Sequence, residues 1–191
     1  GMNIRQLTTG SFTSTGHIKA RFMRFITING DFGSTAVSNN DRSAESNIDL
    51  QTGRLITVNG VMAGIINVDR TIQIAASTVH RGSIRAGDRI VSFNAGTVRE
   101  SHISANNGID TINVTGNVID SSFIAGGDLG ADAVFGGQEA DEVTSGQIGT
   151  VTIGGNFTES DIVAGVLRGA DGFFGTTDDS VAAGRSSIGS V

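Results

Sequence analysis

The chain has 191 residues and contains no Cys, Pro, Trp or Tyr, which excludes disulfide scaffolds, thiolate metal sites and thiol catalysis. Charged residues make up 17% and apolar residues 38%, which is too balanced for an acidic disordered tail, and no apolar run approaches the roughly 20 residues of a membrane helix. Residues 1–103 carry eleven Lys or Arg against seven Asp or Glu, whereas residues 104–191 carry two against twelve. Without a dense basic stripe or stacking aromatics, neither nucleic-acid binding nor membrane insertion is expected.

Pairs of apolar residues separated by one polar residue recur along the chain. Such alternation with a period of two predicts short β-strands. The pairs are Ile26/Ile28, Ile56/Val58, Ile72/Ile74, Val91/Phe93, Ile112/Val114 and Val151/Ile153.

Each of these pairs is followed by a second apolar pair whose members are five residues apart. The six second pairs are Phe32/Val37, Val61/Ile66, Val79/Ile84, Val98/Ile103, Val118/Phe123 and Phe157/Ile162. Their first members are separated by 29, 18, 19, 20 and 39 residues, which indicates a unit of 18 to 20 residues with insertions in the first and last steps. Small residues stand three positions after each first member and predict sharp corners: Thr35, Gly64, Gly82, Ser101, Ser121 and Ser160.

Short strands broken by corners at regular intervals predict an all-β fold, a single-stranded parallel β-helix of six or seven short coils with lateral loop insertions. Residues 1–21 are interpreted as an N-terminal cap or an irregular first coil, because Phe12 lies 20 residues before Phe32. Residues 22–191 are interpreted as the solenoid itself. A β-sandwich or barrel of antiparallel strands is the alternative, but nothing in it forces fixed offsets through six units.

Two segments carry a resemblance to a known group of proteins. They are Ile109-Asp-Thr-Ile-Asn-Val-Thr-Gly-Asn-Val-Ile-Asp-Ser-Ser-Phe-Ile-Ala-Gly126 and Ile148-Gly-Thr-Val-Thr-Ile-Gly-Gly-Asn-Phe-Thr-Glu-Ser-Asp-Ile-Val-Ala-Gly165. Over residues 22–165 the chain resembles the right-handed parallel β-helix proteins of bacterial secreted and cell-surface origin. The resemblance implies a right-handed solenoid with an extracellular or cell-surface location, and it says little about function.

Acidic, Gly-rich insertions are predicted at residues 126–147 and 166–187, where a motif repeats at a constant offset of 39 residues. Carboxylates that converge on a tight loop are typical Ca²⁺ ligands. The candidate ligands are Asp128, Asp132, Glu139, Asp141, Asp171, Asp178 and Asp179. Two alternatives stay open: solvated acidic loops whose Phe135 and Phe174 pack on the solenoid wall, or an additional, poorly patterned coil.

An enzymatic interpretation requires a cluster of catalytic side chains, and the best candidates are His80, Arg81, Arg85, Arg89, Arg99, Glu100 and His102. The repeat predicts that His80 stacks on Arg99 and that Arg81, Glu100 and Asp120 form a second outward column. A carbohydrate-active β-helix enzyme that acts on acidic polysaccharide would use such a wall. A ladder of surface ion pairs is favoured, because no Trp or Tyr is present to stack on sugar rings.

The chain ends at Ile188-Gly-Ser-Val191, which repeats the opening of the units at 109 and 148. This pattern predicts that the stack either continues beyond Val191 or is covered there by another copy, and thus that end-to-end self-association occurs. The sequence as a whole favours a non-enzymatic structural or adhesive segment of a secreted or surface-displayed bacterial protein. Its expected partners are a polysaccharide or another surface component, and calcium is the only cofactor considered.

Overall fold

The computed structural model describes residues 3–12, 16–34, 46–128, 142–169, 171 and 173–191. Within these residues the fold is all-β, with nineteen strands and no helix. The strands are β1 (Asn3–Thr9), β2 (His17–Ile28), β3 (Asn47–Met62), β4 (Ile65–Val68), β5 (Ile72–His80), β6 (Ser83–Ala86), β7 (Arg89–Arg99), β8 (His102–Ala105), β9 (Gly108–Val114), β10 (Val118–Ile119), β11 (Ser122–Ala125), β12 (Gly127–Asp128), β13 (Glu142–Val143), β14 (Gln147–Ile153), β15 (Phe157–Thr158), β16 (Asp161–Ala164), β17 (Val166–Leu167), β18 (Ser180–Val181) and β19 (Ser187–Ser190).

Fifteen of these strands form one sheet, and every pairing within it is parallel. Face 1 consists of β4, β6, β8, β11 and β16 with the first residues of β2 and β3. Face 2 consists of β1, the C-terminal part of β2, the middle of β3, β5, β7, β9, β14 and β19. Face 3 consists of the C-terminal ends of β5 and β7 together with β10 and β15. Sequential strands that return to pair in parallel form a nearly closed sheet, consistent with a β-solenoid, and this rules out the antiparallel alternative.

The core lies inside the three faces and is made of columns of apolar side chains. One column is Ile18, Ile48, Ile66, Ile84, Ile103, Phe123 and Ile162, which follow one another in register along face 1. Its members from Ile48 to Phe123 are fully buried. Burying one such side chain stabilises the fold by about 1.5–3 kcal/mol, and each is buried by the strands before and after it.

Two β-bulges shift the repeat relative to the sequence prediction. In the first bulge, β7 contains one additional residue, Val91, which is only half-buried. Ile72 pairs with Ile90 before the bulge, and Ile74 lies between Ile56 and Phe93 after it. The prediction was therefore wrong on two points. Ile72/Ile74 is not the pair that aligns with Ile56/Val58, and Val91 does not point inward.

The second bulge lies in β3. An additional residue after Val58 places Met62 between Phe32 and Val79, so Met62 takes the inward position predicted for Val61. Val37 and Thr35 lie outside the described residues. A bulge adds one residue to one strand only, which is why a fixed offset counted along the sequence fails there.

The 39-residue step contains no additional coil in the stack. Val118 pairs directly with Phe157, and Phe123 pairs directly with Ile162. The intervening residues leave the sheet next to Gly126, where Gly127–Asp128 pairs antiparallel with Glu142–Val143. A matching antiparallel pair, Val166–Leu167 with Ser180–Val181, follows Gly165. The described parts of both segments thus lie beside the stack as lateral hairpins, named here hairpin 1 (127–128 and 142–143) and hairpin 2 (166–169, 171 and 173–181).

Candidate functional site

The corner between faces 3 and 1 has the same backbone conformation in four successive repeats. Arg81, Glu100, Asp120 and Glu159 have φ angles of 60°, 47°, 48° and 49°. A positive φ is uncommon outside glycine and costs about 1–2 kcal/mol. Backbone hydrogen bonds join the corners, since Arg81 N–H donates to the Arg99 carbonyl and Glu100 N–H donates to the Ile119 carbonyl. These turns lie directly above one another and hold charged side chains at the corner of the stack.

The predicted columns of charged side chains at this corner are present. His80 pairs with Arg99 in register. Glu100 accepts a hydrogen bond of 2.8 Å from Arg81 Nε and lies 3.4 Å from His80 Nε2. The Arg81 hydrogen bond, supported by the charges of Arg81 and His80, lowers the pKa of Glu100 below its ordinary value of 4.5 although partial burial opposes this. The cluster is a ladder of ion pairs between neighbouring strands.

A column of serines lies behind these corners, and Ser101 and Ser121 in it are buried. The Ser101, Ser121 and Ser160 hydroxyls each donate to the carbonyl two residues earlier, at 2.5, 2.7 and 2.7 Å. Each hydroxyl also accepts from the repeat before it, so Gly82 N–H donates to Ser101, Ser101 N–H to Ser121, and Ser121 N–H to Ser160. The serines predicted at the corners therefore satisfy buried backbone groups.

His102 and Ser122 form a histidine–serine pair that the sequence did not single out. The distance between His102 Nδ1 and Ser122 Oγ is 2.7 Å, and both residues line a groove of about 730 Å³. Ser122 is only 4% exposed. The N–H groups of Ser121 and of Ser122 itself are already used, since Ser121 N–H donates to Ser160 and Ser122 N–H to the Ser101 carbonyl. A nucleophilic serine needs donors for the developing oxyanion, and these two cannot supply them.

The base of hairpin 1 is fixed to face 1 by Arg85. Its Nε and Nη2 donate to the two oxygens of Asp128 at 2.6 and 2.8 Å, and its Nη1 donates to Asn67 Oδ1 at 2.9 Å. Asn106 Nδ2 donates a further hydrogen bond of 2.8 Å to Asp128. The predicted calcium ligand Asp128 is thus the acceptor of an ion pair that holds the hairpin against the stack.

The carboxylates of hairpin 2 accept hydrogen bonds from its own loop. Asp179 accepts from the N–H groups of Gly169, Gly175 and Thr176 at 3.1, 2.6 and 3.1 Å. Asp178 accepts from Thr176 Oγ1 at 2.8 Å and from Asp171 N–H at 3.2 Å. Asp171 accepts from Phe173 N–H at 2.9 Å. These contacts hold the described part of the loop in a bend.

A small apolar cluster connects the two hairpins to the stack. Ile124 and Leu167 are buried, and Val143, Val163 and Phe174 pack against them. Phe174 therefore packs on the solenoid wall, as the solvated-loop alternative predicted for it, whereas Phe135 lies outside the described residues.

The predicted metal ligands divide into two sets. Asp132, Glu139 and Asp141 lie outside the described residues, and Asp128, Asp171, Asp178 and Asp179 have the contacts given above. In the described part of the chain, no group of three or more His, Cys, Asp or Glu side chains is placed to hold a metal ion.

Comparison with protein-family models, with curated proteins and with solved structures found no match to this chain. The described residues include no helix of the length and apolarity needed to cross a membrane. A functional assignment therefore rests on the side-chain contacts within the structure.

Proposed function

We propose that the chain is a non-enzymatic structural and adhesive segment of a secreted or surface-displayed bacterial protein. In this proposal the three faces are the walls of a right-handed solenoid of six or seven coils, roughly 35 Å long at about 4.8 Å per coil. Its role is to hold lateral surfaces at fixed spacing. Calcium binding by the hairpins stays a prediction.

One observation carries the proposal: the clustered side chains that could support catalysis are occupied by contacts between neighbouring repeats. Glu100 binds Arg81 and His80, Arg85 binds Asp128, and Arg89 binds Asp110. At the His102–Ser122 pair, the N–H groups of Ser121 and Ser122 likewise donate to other repeats. Contacts of this kind hold the described charged side chains in the stack.

A crystal structure and a lyase assay test the proposal together. We expect successive coils stacked in parallel and no rise in ultraviolet absorbance when the chain is incubated with polyuronates, with or without calcium. A rise in absorbance that Arg81→Gln or Arg99→Gln abolishes would establish the alternative, an enzyme that acts on acidic polysaccharide. Antiparallel pairing of neighbouring strands in the crystal would contradict the solenoid.

Self-association is the second part of the proposal. Among the described residues, β15 and β16 each pair on one side only, and Phe157 beside them is 42% exposed. Strand β1 likewise pairs only with β2. The region around β1 and β2 carries Arg5, Lys19, Arg21, Arg24 and Asp31, whereas the region around β15 and β16 carries Asp120, Glu159, Asp161 and Arg168, so the first is net basic and the second net acidic. Opposite charge at two open edges favours head-to-tail contact between copies.

Sedimentation velocity from micromolar to near-millimolar protein measures this association. We expect the mass to rise with concentration and to fall when salt is raised from 50 mM to 500 mM. A mass that equals one chain across the whole range contradicts self-association.

A further inference from the structure

Two columns of outward side chains on face 2 contain no ionisable residue, although Arg24, which lies 5.5 Å from the Phe25 ring, Arg54 and the Arg89–Asp110 pair stand beside the first column. The first column is Gln6, Phe25, Leu55, Gln73, Ser92, Thr111 and Thr150, and the second is Thr8, Thr27, Thr57, Ala75, Asn94, Asn113 and Thr152. In a chain with 17% charged residues, outward positions are where charge is expected. Faces 1 and 3 show it, since Lys19, Asp49 and Arg85 share one column and His80 and Arg99 another.

A shallow trough of about 340 Å³ runs across the middle of this face. Its lining combines small side chains, Ala75, Ala76 and Gly96, with the amides of Asn59, Asn94 and Asn113. These residues belong to β3, β5, β7 and β9 or directly follow β9, so the trough crosses four neighbouring strands, a distance of about 15 Å. The small residues leave room between the amides for a flat, extended ligand.

The amides in the trough are held in a fixed orientation but are not saturated. Asn113 Nδ2 donates to Asn94 Oδ1 at 3.4 Å, and Asn59 Nδ2 donates to Asn29 Oδ1 at 3.2 Å. An amide has two donors and a carbonyl with two lone pairs, so each of these contacts uses only part of its capacity. The remaining donors and acceptors repeat at the spacing of the strands, which is about the length of one pyranose ring.

The chemistry of the face excludes several classes of ligand. Nucleic acids and acidic polysaccharides need Lys or Arg beside their negative groups, and none lines the trough. Contact faces of protein dimers are mostly apolar at their centre, whereas this centre consists of amides, hydroxyls and alanines. A neutral polymer rich in hydroxyl groups fits, because it supplies hydrogen bonds without burying an unpaired charge.

We propose that face 2 binds one extended chain of a neutral polysaccharide along the trough, with successive sugar units over successive strands. Asn94 and Asn113 donate to and accept from the sugar hydroxyls, and Ala75 contacts the ring faces. The inference gives the adhesive part of the proposed function a ligand class and a surface, and it rests on that function because the columns exist only while the repeats are stacked.

Affinity electrophoresis in gels that contain a soluble β-1,4-linked glycan tests the proposal on the full chain. Glucomannan and hydroxyethyl cellulose are the neutral probes, and polygalacturonate is the acidic comparison. We expect retardation in both neutral gels and none in polygalacturonate. Asn94→Asp places a charge in the trough, and we expect it to weaken the affinity for glucomannan at least tenfold.

The matched control is Gln51→Glu, which makes the same amide-to-carboxylate change at an exposed residue beside Arg21, away from face 2. It should bind glucomannan as the original chain does. Thermal melts of both variants, monitored by circular dichroism, verify that the stack is intact.

Full binding by Asn94→Asp, equal retardation in polygalacturonate, or no retardation in the neutral gels would each overturn the proposal. So would a doubled mass in sedimentation that Asn94→Asp abolishes, because face 2 would then be covered by a second copy. Circular dichroism on the same samples reports the folded stack separately, so loss of glycan binding with an unchanged β-sheet spectrum leaves the structural role standing.

Discussion

Arg85 and Asp128 are 43 residues apart in the chain, yet they form a two-point ion pair with N–O distances of 2.6 and 2.8 Å. The exposed fractions of the two side chains are 14% and 20%. Water therefore screens this pair less than the other charged pairs of the stack, and the pair joins hairpin 1 to face 1. It is the contact on which the position of the hairpin depends most directly.

Removal of Arg85 tests that dependence. Arg85→Met keeps an apolar stem but removes both charge-assisted hydrogen bonds from Arg85 to Asp128, so we expect the free energy of unfolding to fall by about 1–3 kcal/mol. Urea denaturation measures the loss, and hydrogen exchange of the Gly127 amide reports opening of the hairpin. Arg54→Met is the control, because Arg54 is exposed, and it should change the stability by less than about 0.5 kcal/mol. Equal losses in the two variants contradict the role of the pair.

Substitution of one serine tests the buried column at the corners. In Ser121→Ala the Ser101 N–H loses its acceptor and the Ile119 carbonyl loses a donor, and both are buried in the stack. We expect a loss of about 1–3 kcal/mol in urea denaturation. Ser77→Ala removes an exposed hydroxyl that donates to the Asn59 carbonyl and should cost well below 1 kcal/mol. If both substitutions cost the same, the corner hydroxyl is not a structural group.

The acidity of Glu100 predicts how stability depends on pH. Because the pKa of Glu100 is lower in the folded protein than in the unfolded chain, its ionised form stabilises the fold fully above the ordinary value of 4.5. That contribution is lost as the pH falls through the lowered value. Glu100→Gln should therefore reduce the melting temperature at pH 7 but have a smaller effect at pH 3.

A second carboxyl must be separated from this effect. Hydrogen bonds from Thr71 and Asn107 lower the pKa of Asp88 below 3.8 in the same direction, so some loss of stability in acid remains in the Glu100 variant. Thermal melts of Glu100→Gln, Asp88→Asn and the double variant at both pH values measure the two contributions. A Glu100→Gln penalty that is as large at pH 3 as at pH 7 contradicts the assignment.

The core columns could be predicted from the sequence because the parallel stack repeats every position at a nearly constant separation. Ile84, Ile103 and Phe123 lie in register as their spacing predicted. The spacing failed at Ile72 and Val61, where a bulge inserts one residue that only the partner strand reveals. The Arg85–Asp128 pair could not be predicted either, because the sequence does not specify how hairpin 1 folds back onto face 1. The contact between His102 and Ser122 could have been predicted. His102 directly precedes Ile103 and Ser122 directly precedes Phe123, and Ile103 and Phe123 are neighbours in one inward column.

Calcium binding by the hairpins predicts a dependence of stability on the free ion. A ligand that binds only the folded chain raises stability by mass action, by about 2.7 kcal/mol when its concentration is a hundred times the dissociation constant. We expect the melting temperature to be higher in millimolar calcium than in chelator. Asp178 and Asp179 already accept hydrogen bonds from their own loop, so Asp178→Asn should reduce the calcium effect while changing the melt in chelator little. Magnesium at the same concentration is the ionic-strength control, since it prefers a stricter octahedral site. Identical melts in chelator and in calcium would show that the acidic residues act only as hydrogen-bond acceptors and solvated charges. Arg85 could itself keep calcium from Asp128 by binding that carboxylate. Identical melts of Arg85→Met in chelator and in calcium would remove this explanation.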